Sequence, residues 1–156
     1  MTPTQIADTF YSAFQAKDHA TMRACYSSDA AFSDPVFTDL HGEKIGDMWQ
    51  MLCEQGRDLT LTYEVLHADE DCVRVRWLPT YTFSVTGRKV VNDVVATLKI
   101  VDGKIANHAD DFDLWKWTRM ALGLPGRLLG WTSFVQNRIR KEAGKGLDKF
   151  VTRQAA

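Results

Sequence analysis

A chain of 156 residues with 45% hydrophobic and 25% charged side chains is the size and make-up of one globular domain that needs no disulfide or metal staple. A net charge of −1 gives no global electrostatic case for nucleic acid. No apolar run approaches the roughly 20 residues of a membrane span, and the start, MTPTQIADTF, has neither the basic nor the apolar region of a signal peptide, so the expected location is cytoplasmic.

The first element reads as a helix. Thr2-Pro3-Thr4-Gln5 supplies an N-cap, a first-turn proline and a glutamine that reaches back, and Ile6, Phe10, Ala13 and Phe14 recur at helical spacing. Asp18 caps a second short helix with Met22, Cys25 and Tyr26. A short strand, Ala30-Ala31-Phe32-Ser33, ends at the turn signal Asp34-Pro35. Gly42 precedes a third helix with an apolar stripe of Ile45, Met48, Trp49 and Leu52. From Leu59 the period becomes two. Leu59, Leu61, Tyr63 and Val65 mark one strand, and Val73, Val75, Trp77, Tyr81 and Phe83 share a face of a second, with a bulge or edge expected at Pro79. Val90 to Val101 reads as a third strand, apolar on both faces, and Asp102-Gly103 turns it into a fourth, Lys104 to Asp113. The order, helices and then hairpin-linked strands, points to an α+β fold.

The last forty residues differ in character. Leu114-Trp115-Lys116-Trp117 opens a helix, Leu122-Gly123-Leu124-Pro125-Gly126 breaks it, and a basic amphipathic helix follows with Val135, Ile139, Ala143 and Leu147 at intervals of four. Residues 132–156 hold six basic side chains against Glu142 and Asp148, a net of +4, which leaves about −5 on the rest. The solvated face of a packed helix accounts for this; contact with acidic lipid or a partner is the alternative. Cys25, Cys53 and Cys72 form no CxxC pair and read as small apolar residues.

These elements, with Ala31-Phe32-Ser33-Asp34-Pro35-Val36 after two helices and a sheet ending Asp102-Gly103-Lys104-Ile105 and Asp110-Asp111-Phe112-Asp113, resemble the nuclear-transport-factor-2-like superfamily. Its SnoaL-like and ketosteroid-isomerase-like branches are nearest. The resemblance covers residues 3–113 of what reads as one domain, with 114–156 as a helical extension. It implies a cone-shaped, curved antiparallel sheet (cystatin-like) wrapped around the N-terminal helices, a pocket for an apolar small molecule, and a homodimer through the outer sheet face. No cofactor, metal, nucleic acid or membrane span is implied.

The resemblance can be carried over one residue at a time. Asp34 stands where ketosteroid isomerases keep their general base, but the oxyanion-binding tyrosine position falls on Phe10, with Tyr11 beside it. Asp110 stands where limonene-epoxide hydrolases keep an aspartate, but its arginine and aspartate partners fall on Trp77 and Pro79. His108 and Asp110 share a strand face, and Asp93 lies among valines, where a carboxylate is costly to bury unpaired. Asp34, Asp93, His108 and Asp110 are therefore the candidate acid/base group. Phe10, Tyr11, Trp49, Trp77, Tyr81 and Phe83 are the candidate ligand-binding aromatics. The competing readings are a satisfied hydrogen-bond network, plain core aromatics, and for Asp34 a turn cap before proline. Asp113 has the wrong strand parity to join a metal site with His108 and Asp110, and is expected to cap the following helix. At the level of function, an acid/base isomerase, lyase or hydrolase competes with a non-catalytic carrier and with an assembly protein plugged by its C-terminal tryptophans.

Overall fold

The computed structural model describes residues 1–155. Helix α1 (Pro3–Gln15) starts with a complete capping box between Thr2 and Gln5, and α2 (His19–Ala24) is capped by Asp18. Strands β1 (Tyr26–Ser33) and β2 (Leu40–His41) precede α3 (Glu43–Gln55). The meander that follows is β3 (Thr60–Ala68), β4 (Cys72–Phe83), β5 (Arg88–Val91), β6 (Val94–Val101) and β7 (Lys104–Asp111). Asp102 and Gly103 both have positive φ, 51° and 75°, the conformation a two-residue hairpin turn requires.

The seven strands form one sheet in the order β2-β1-β7-β6-β4-β3, with β5 on β4. The fold is the expected α+β cone, with two departures. First, β1 pairs with β7 in parallel, so the sheet is not wholly antiparallel. Second, the expected strand Val90–Val101 is two strands. Thr80 pairs with Val91 and Trp77 with Val94, and the ladder opens opposite Pro79, which has no N–H to donate. The Asn92 N–H donates instead to the Pro79 carbonyl at 3.0 Å.

The inner face of β6, Val94, Ala96, Leu98 and Ile100, is buried in the core cluster to which α1 and α3 also contribute. Its outer face is mixed rather than apolar, because Thr97, Lys99 and Val101 are exposed. Ile6, Phe10, Tyr11, Phe14, Ile45, Met48 and Trp49 fill the cone from the helix side. Burial of these large side chains, each worth about 1.5–3 kcal/mol, dominates the stability. Cys25 and Cys53 are buried and free, and Cys72 is half-buried.

After β7 the chain crosses the cone's mouth. Asp113 caps α4 (Leu114–Leu122) through the Lys116 N–H, Gly123 turns the chain at φ 71°, and α5 (Leu124–Leu129) and α6 (Ser133–Ala155) follow. Leu114, Trp117 and Ala121 of α4 form a second buried cluster with Val90, packed by Tyr81, Phe83 and Phe112. Leu147 and Phe150 of α6 join the main core beside α3. Val135, Ile139 and Ala143 are only half-buried.

Candidate functional site

The centre of the cone holds one polar chain inside an aromatic cage. On β7 the side chains of His108 and Asp110 point inward, and Phe112 just past its end continues the same parity, as period two requires. The His108 side chain is fully buried and that of Asp110 nearly so. The His108 ring is within 13° and 28° of parallel to the rings of Tyr26 and Trp49, at 6.0 and 5.9 Å between centroids, with Phe32 and Phe10 edge-on at 4.9 and 5.7 Å.

Donor and acceptor chemistry sets the direction of the polar chain. An indole N–H can only donate, so Trp49 Nε1 donates to the Tyr26 hydroxyl oxygen at 2.9 Å. The Tyr26 O–H is then free to donate to His108 Nδ1 at 2.7 Å. An accepting Nδ1 places the ring proton on Nε2, which donates to Asp110 Oδ1 at 2.9 Å. Trp77 Nε1 donates to the same oxygen at 3.3 Å. Among the described residues, Oδ2 of Asp110 takes part in no hydrogen bond. Burial, the nearby Asp110 charge and Cys25 push the Tyr26 phenol well above its usual pKa, against a smaller opposite effect of the Trp49 bond, so Tyr26 keeps its proton and remains a donor.

Tyr11 completes this group. It is fully buried, its ring stacks on Tyr63 at 5.2 Å, and its hydroxyl is the one buried side-chain polar atom without a partner among the described residues. Burial first, then the charge of Asp110, then Tyr26 raise its pKa, so it is also a protonated donor, within electrostatic reach of Asp110. A buried hydroxyl left unpaired costs about 1–3 kcal/mol, and a polar ligand atom between Tyr11 and Asp110 would remove that cost.

Asp34 stands at the mouth. Its Oδ1 accepts from the N–H groups of Val36 and Phe37, so it caps the turn before β2. Despite that bond pair, desolvation raises its pKa to about 6. Asp110 adds to the rise and His108 opposes it. Arg140 of α6 donates to the carbonyl of Pro35 at 2.8 Å, so the tail is tied to this turn. Phe112 packs against both the main core and the mouth cluster.

The expected group of four thus divides. His108 and Asp110 meet directly, and Asp34 is coupled to them through its charge. Asp93 is elsewhere: it sits on the outer surface in a two-bond pair with Arg76, at 2.9 and 2.8 Å, because it shares the parity of Thr97 and Lys99, whose face points outward. That pairing lowers its pKa. Among the expected aromatics, Phe10 and Trp49 are buried in the core, Trp77 carries its N–H to Asp110, Tyr11 is buried with its hydroxyl unpartnered, and Tyr81 and Phe83 line the mouth. There Trp117 closes over them: its Nε1 donates to the Tyr81 hydroxyl at 2.7 Å, and its ring meets Phe83 at 5.2 Å. Of the C-terminal tryptophans only Trp117 is buried; Trp115 and Trp131 are exposed. The role of Tyr26 is not visible in the sequence, where it reads as the apolar end of a helix. Among the described residues no three His, Cys, Asp or Glu side chains are placed to hold a metal ion.

The profile of the SnoaL-like domain family matches residues 7–108. In structure the chain is similar to a hypothetical protein of ketosteroid isomerase-like fold from Catenulispora acidiphila, solved with trimethylamine (16% identity, TM-score 0.68, covering 85% of this chain and 99% of that one). It is also similar to a candidate polyketide cyclase from Streptomyces antibioticus (23% identity, TM-score 0.66, 80% and 100%). A third similar structure is an LEH-like epoxide hydrolase of M. tuberculosis (20% identity, TM-score 0.60, 80% and 92%). At these identities the likeness is one of fold. No curated protein matches the chain.

Proposed function

The chain belongs to the SnoaL-like domain family, and from that premise we propose that it is a cofactor-independent acid/base catalyst acting on an apolar substrate with an enolisable carbonyl. One observation carries the reading: the Trp49–Tyr26–His108–Asp110 chain ends on a carboxylate whose second oxygen has no hydrogen-bond partner among the described residues, with the buried, unpartnered Tyr11 hydroxyl within electrostatic reach of it. Such a pair suits the removal of a proton from carbon next to a carbonyl. Asp110 Oδ2 takes the proton, and the carbonyl oxygen, gaining the electron pair, accepts a hydrogen bond from Tyr11. Return of the same proton to another carbon completes an isomerisation. His108 is a positioning residue that holds Asp110 through Oδ1. Asp34, poised near pH 6, is the second acid/base group at the mouth.

Tyr11 thus takes over the donor role that Phe10 cannot fill. The names of two similar proteins, a polyketide cyclase and an epoxide hydrolase, support small apolar molecules as the class of ligand but do not choose the reaction. Exposed Val91 and Val101 leave room for a homodimer through the outer sheet, although the charged neighbours Lys99 and Arg74 weaken that reading.

The test is deuterium uptake from D2O into bicyclic ketone probes such as 2-decalone, followed by NMR. The wild type accelerates exchange, and Asp110→Asn and Tyr11→Phe each reduce the gain by about 100-fold or more. Equal rates for wild type and Asp110→Asn would overturn the proposal. The packed aromatic cage and the Trp117–Tyr81 closure favour, as the second reading, a carrier that holds its ligand without turnover. Under that reading native mass spectrometry finds a co-purifying apolar molecule, and Tyr11→Phe loses binding with no exchange chemistry to lose.

A further inference from the structure

Helix α5 is packed inside out. The residue it buries is Gly126, while Leu124, Leu128 and Leu129 point to solvent at 65%, 61% and 53% exposure. The cause lies in its contact with α4. A Cβ on Gly126 would come 2.0 Å from the Thr118 carbonyl oxygen, and one on Gly130 would come 1.9 Å from the Thr118 hydroxyl. Only glycine fits on that side, so the leucines have no inward position to occupy. Trp131 and Phe134, next along the chain, are 62% and 76% exposed. Five large apolar side chains within eleven residues therefore protrude from one turn, far more than the scattered apolar residues of an ordinary surface.

The charge around this turn is one-sided. Arg127 lies within it, and Arg138, Lys141 and Lys145 line the α6 surface beside Phe134. Residues 114–156 hold nine basic side chains against Glu142 and Asp148, whereas residues 1–113 hold eighteen acidic against ten basic. Long basic side chains lay their stems along apolar surface and keep their charge at the polar boundary.

We propose that the α5–α6 turn docks the protein on an anionic phospholipid surface, with Leu124, Leu128, Trp131 and Phe134 inserted at the headgroup boundary and Arg127, Arg138, Lys141 and Lys145 on the lipid phosphates. No helix of the described chain is long and apolar enough to cross a bilayer, so the contact is peripheral. The acidic body is repelled by the same surface, which orients the tail toward it. A second copy of the chain is the weaker occupant. It would have to bury separate protruding tips, and the hollow next to Phe134 is lined by Asn137, Arg138, Lys141, Glu142 and Lys145, which is too polar to receive them.

The experiment is co-sedimentation of the full chain with vesicles of phosphatidylcholine alone or with about 30% phosphatidylglycerol. Each basic side chain near such a surface is worth about fivefold in affinity. We expect binding at least about tenfold tighter to the anionic vesicles, lost on raising the salt, with a blue shift of tryptophan emission that Trp131→Phe removes. Charge reversal by Arg138→Glu with Lys141→Glu, and apolar loss by Leu128→Asp with Phe134→Asp, each weaken binding by about tenfold or more. All four side chains are exposed, so circular dichroism should show both variants folded. Equal binding to both vesicles, or to neither, overturns the proposal. So does self-association in sedimentation velocity without lipid that the Leu128/Phe134 variant abolishes, which would make the turn an interface between copies.

Discussion

Replacing Tyr26 with phenylalanine removes one oxygen and strands two buried groups. The Trp49 indole N–H loses its acceptor at 2.9 Å, and His108 Nδ1 loses its donor at 2.7 Å. Tyr26 is buried and His108 completely so, leaving water no easy way to replace the hydroxyl. A buried group left unpaired costs about 1–3 kcal/mol, so the pair together should cost about 2–6 kcal/mol. At this chain length 3 kcal/mol corresponds to a fall in Tm of about 6–12 °C. Urea unfolding followed by circular dichroism measures it: the midpoint should fall with the slope unchanged. The double variant Tyr26→Phe with Trp49→Phe removes the stranded N–H as well, so it should be less destabilised than the sum of the singles by about 1 kcal/mol. A single variant within about 0.5 kcal/mol of wild type, or strictly additive doubles, would refute the hydrogen-bond direction derived above.

Asp34 should tie stability to pH. Its folded pKa of about 6 lies above the usual carboxylic value of 3.8, so the folded protein holds this proton more tightly than the unfolded chain. The resulting stabilisation is complete below about pH 4 and is lost as pH rises through 6; after discounting for its partial exposure, it amounts to about 1–2 kcal/mol. Asp34→Asn keeps the Oδ1 acceptor for Val36 and Phe37, so its stability relative to wild type should rise by that amount between pH 4 and pH 7; a flat difference in denaturant titrations at the two pH values would refute this. Phe150→Ala should cost about 3–5 kcal/mol in chemical denaturation, because α6 contributes that ring to the main core, whereas the exposed Phe134→Ala should change stability by less than about 0.5 kcal/mol. Asp93→Asn should cost less than about 1 kcal/mol and leave deuterium exchange at the wild-type rate, since its pair with Arg76 is on the surface; a large loss of exchange would return Asp93 to the site.

Much of the candidate site was legible because parity along a single strand is a local property. His108, Asp110 and Phe112 share a face in the sequence and in the structure. The caps were legible for the same reason, since Thr2, Asp18 and Asp113 act within three or four residues of themselves. Asp93 was misplaced although its parity with Val95 and Thr97 held, because both faces of this stretch carry valines and only the packing of distant elements decides which face is inward. Tyr26 was missed because nothing near it in sequence needs its hydroxyl. Its partners, Trp49 and His108, are 23 and 82 residues away.

The sequence alone determined the succession of helices and then strands, the tight Asp102-Gly103 turn and the shared face of His108, Asp110 and Phe112, all of which follow from hydrophobic period and backbone sterics over a few residues. Tertiary structure alone decided the parallel pairing of β1 with β7, which brings Tyr26 to His108, and the closure of the mouth by Trp117. It also decided the outward turn of the α5 leucines, because only packing against Thr118 shows that the inner side of that helix has room for glycine and nothing larger. Contacts between distant segments depend on register and on the space left by neighbours, and no local pattern in the chain carries that information.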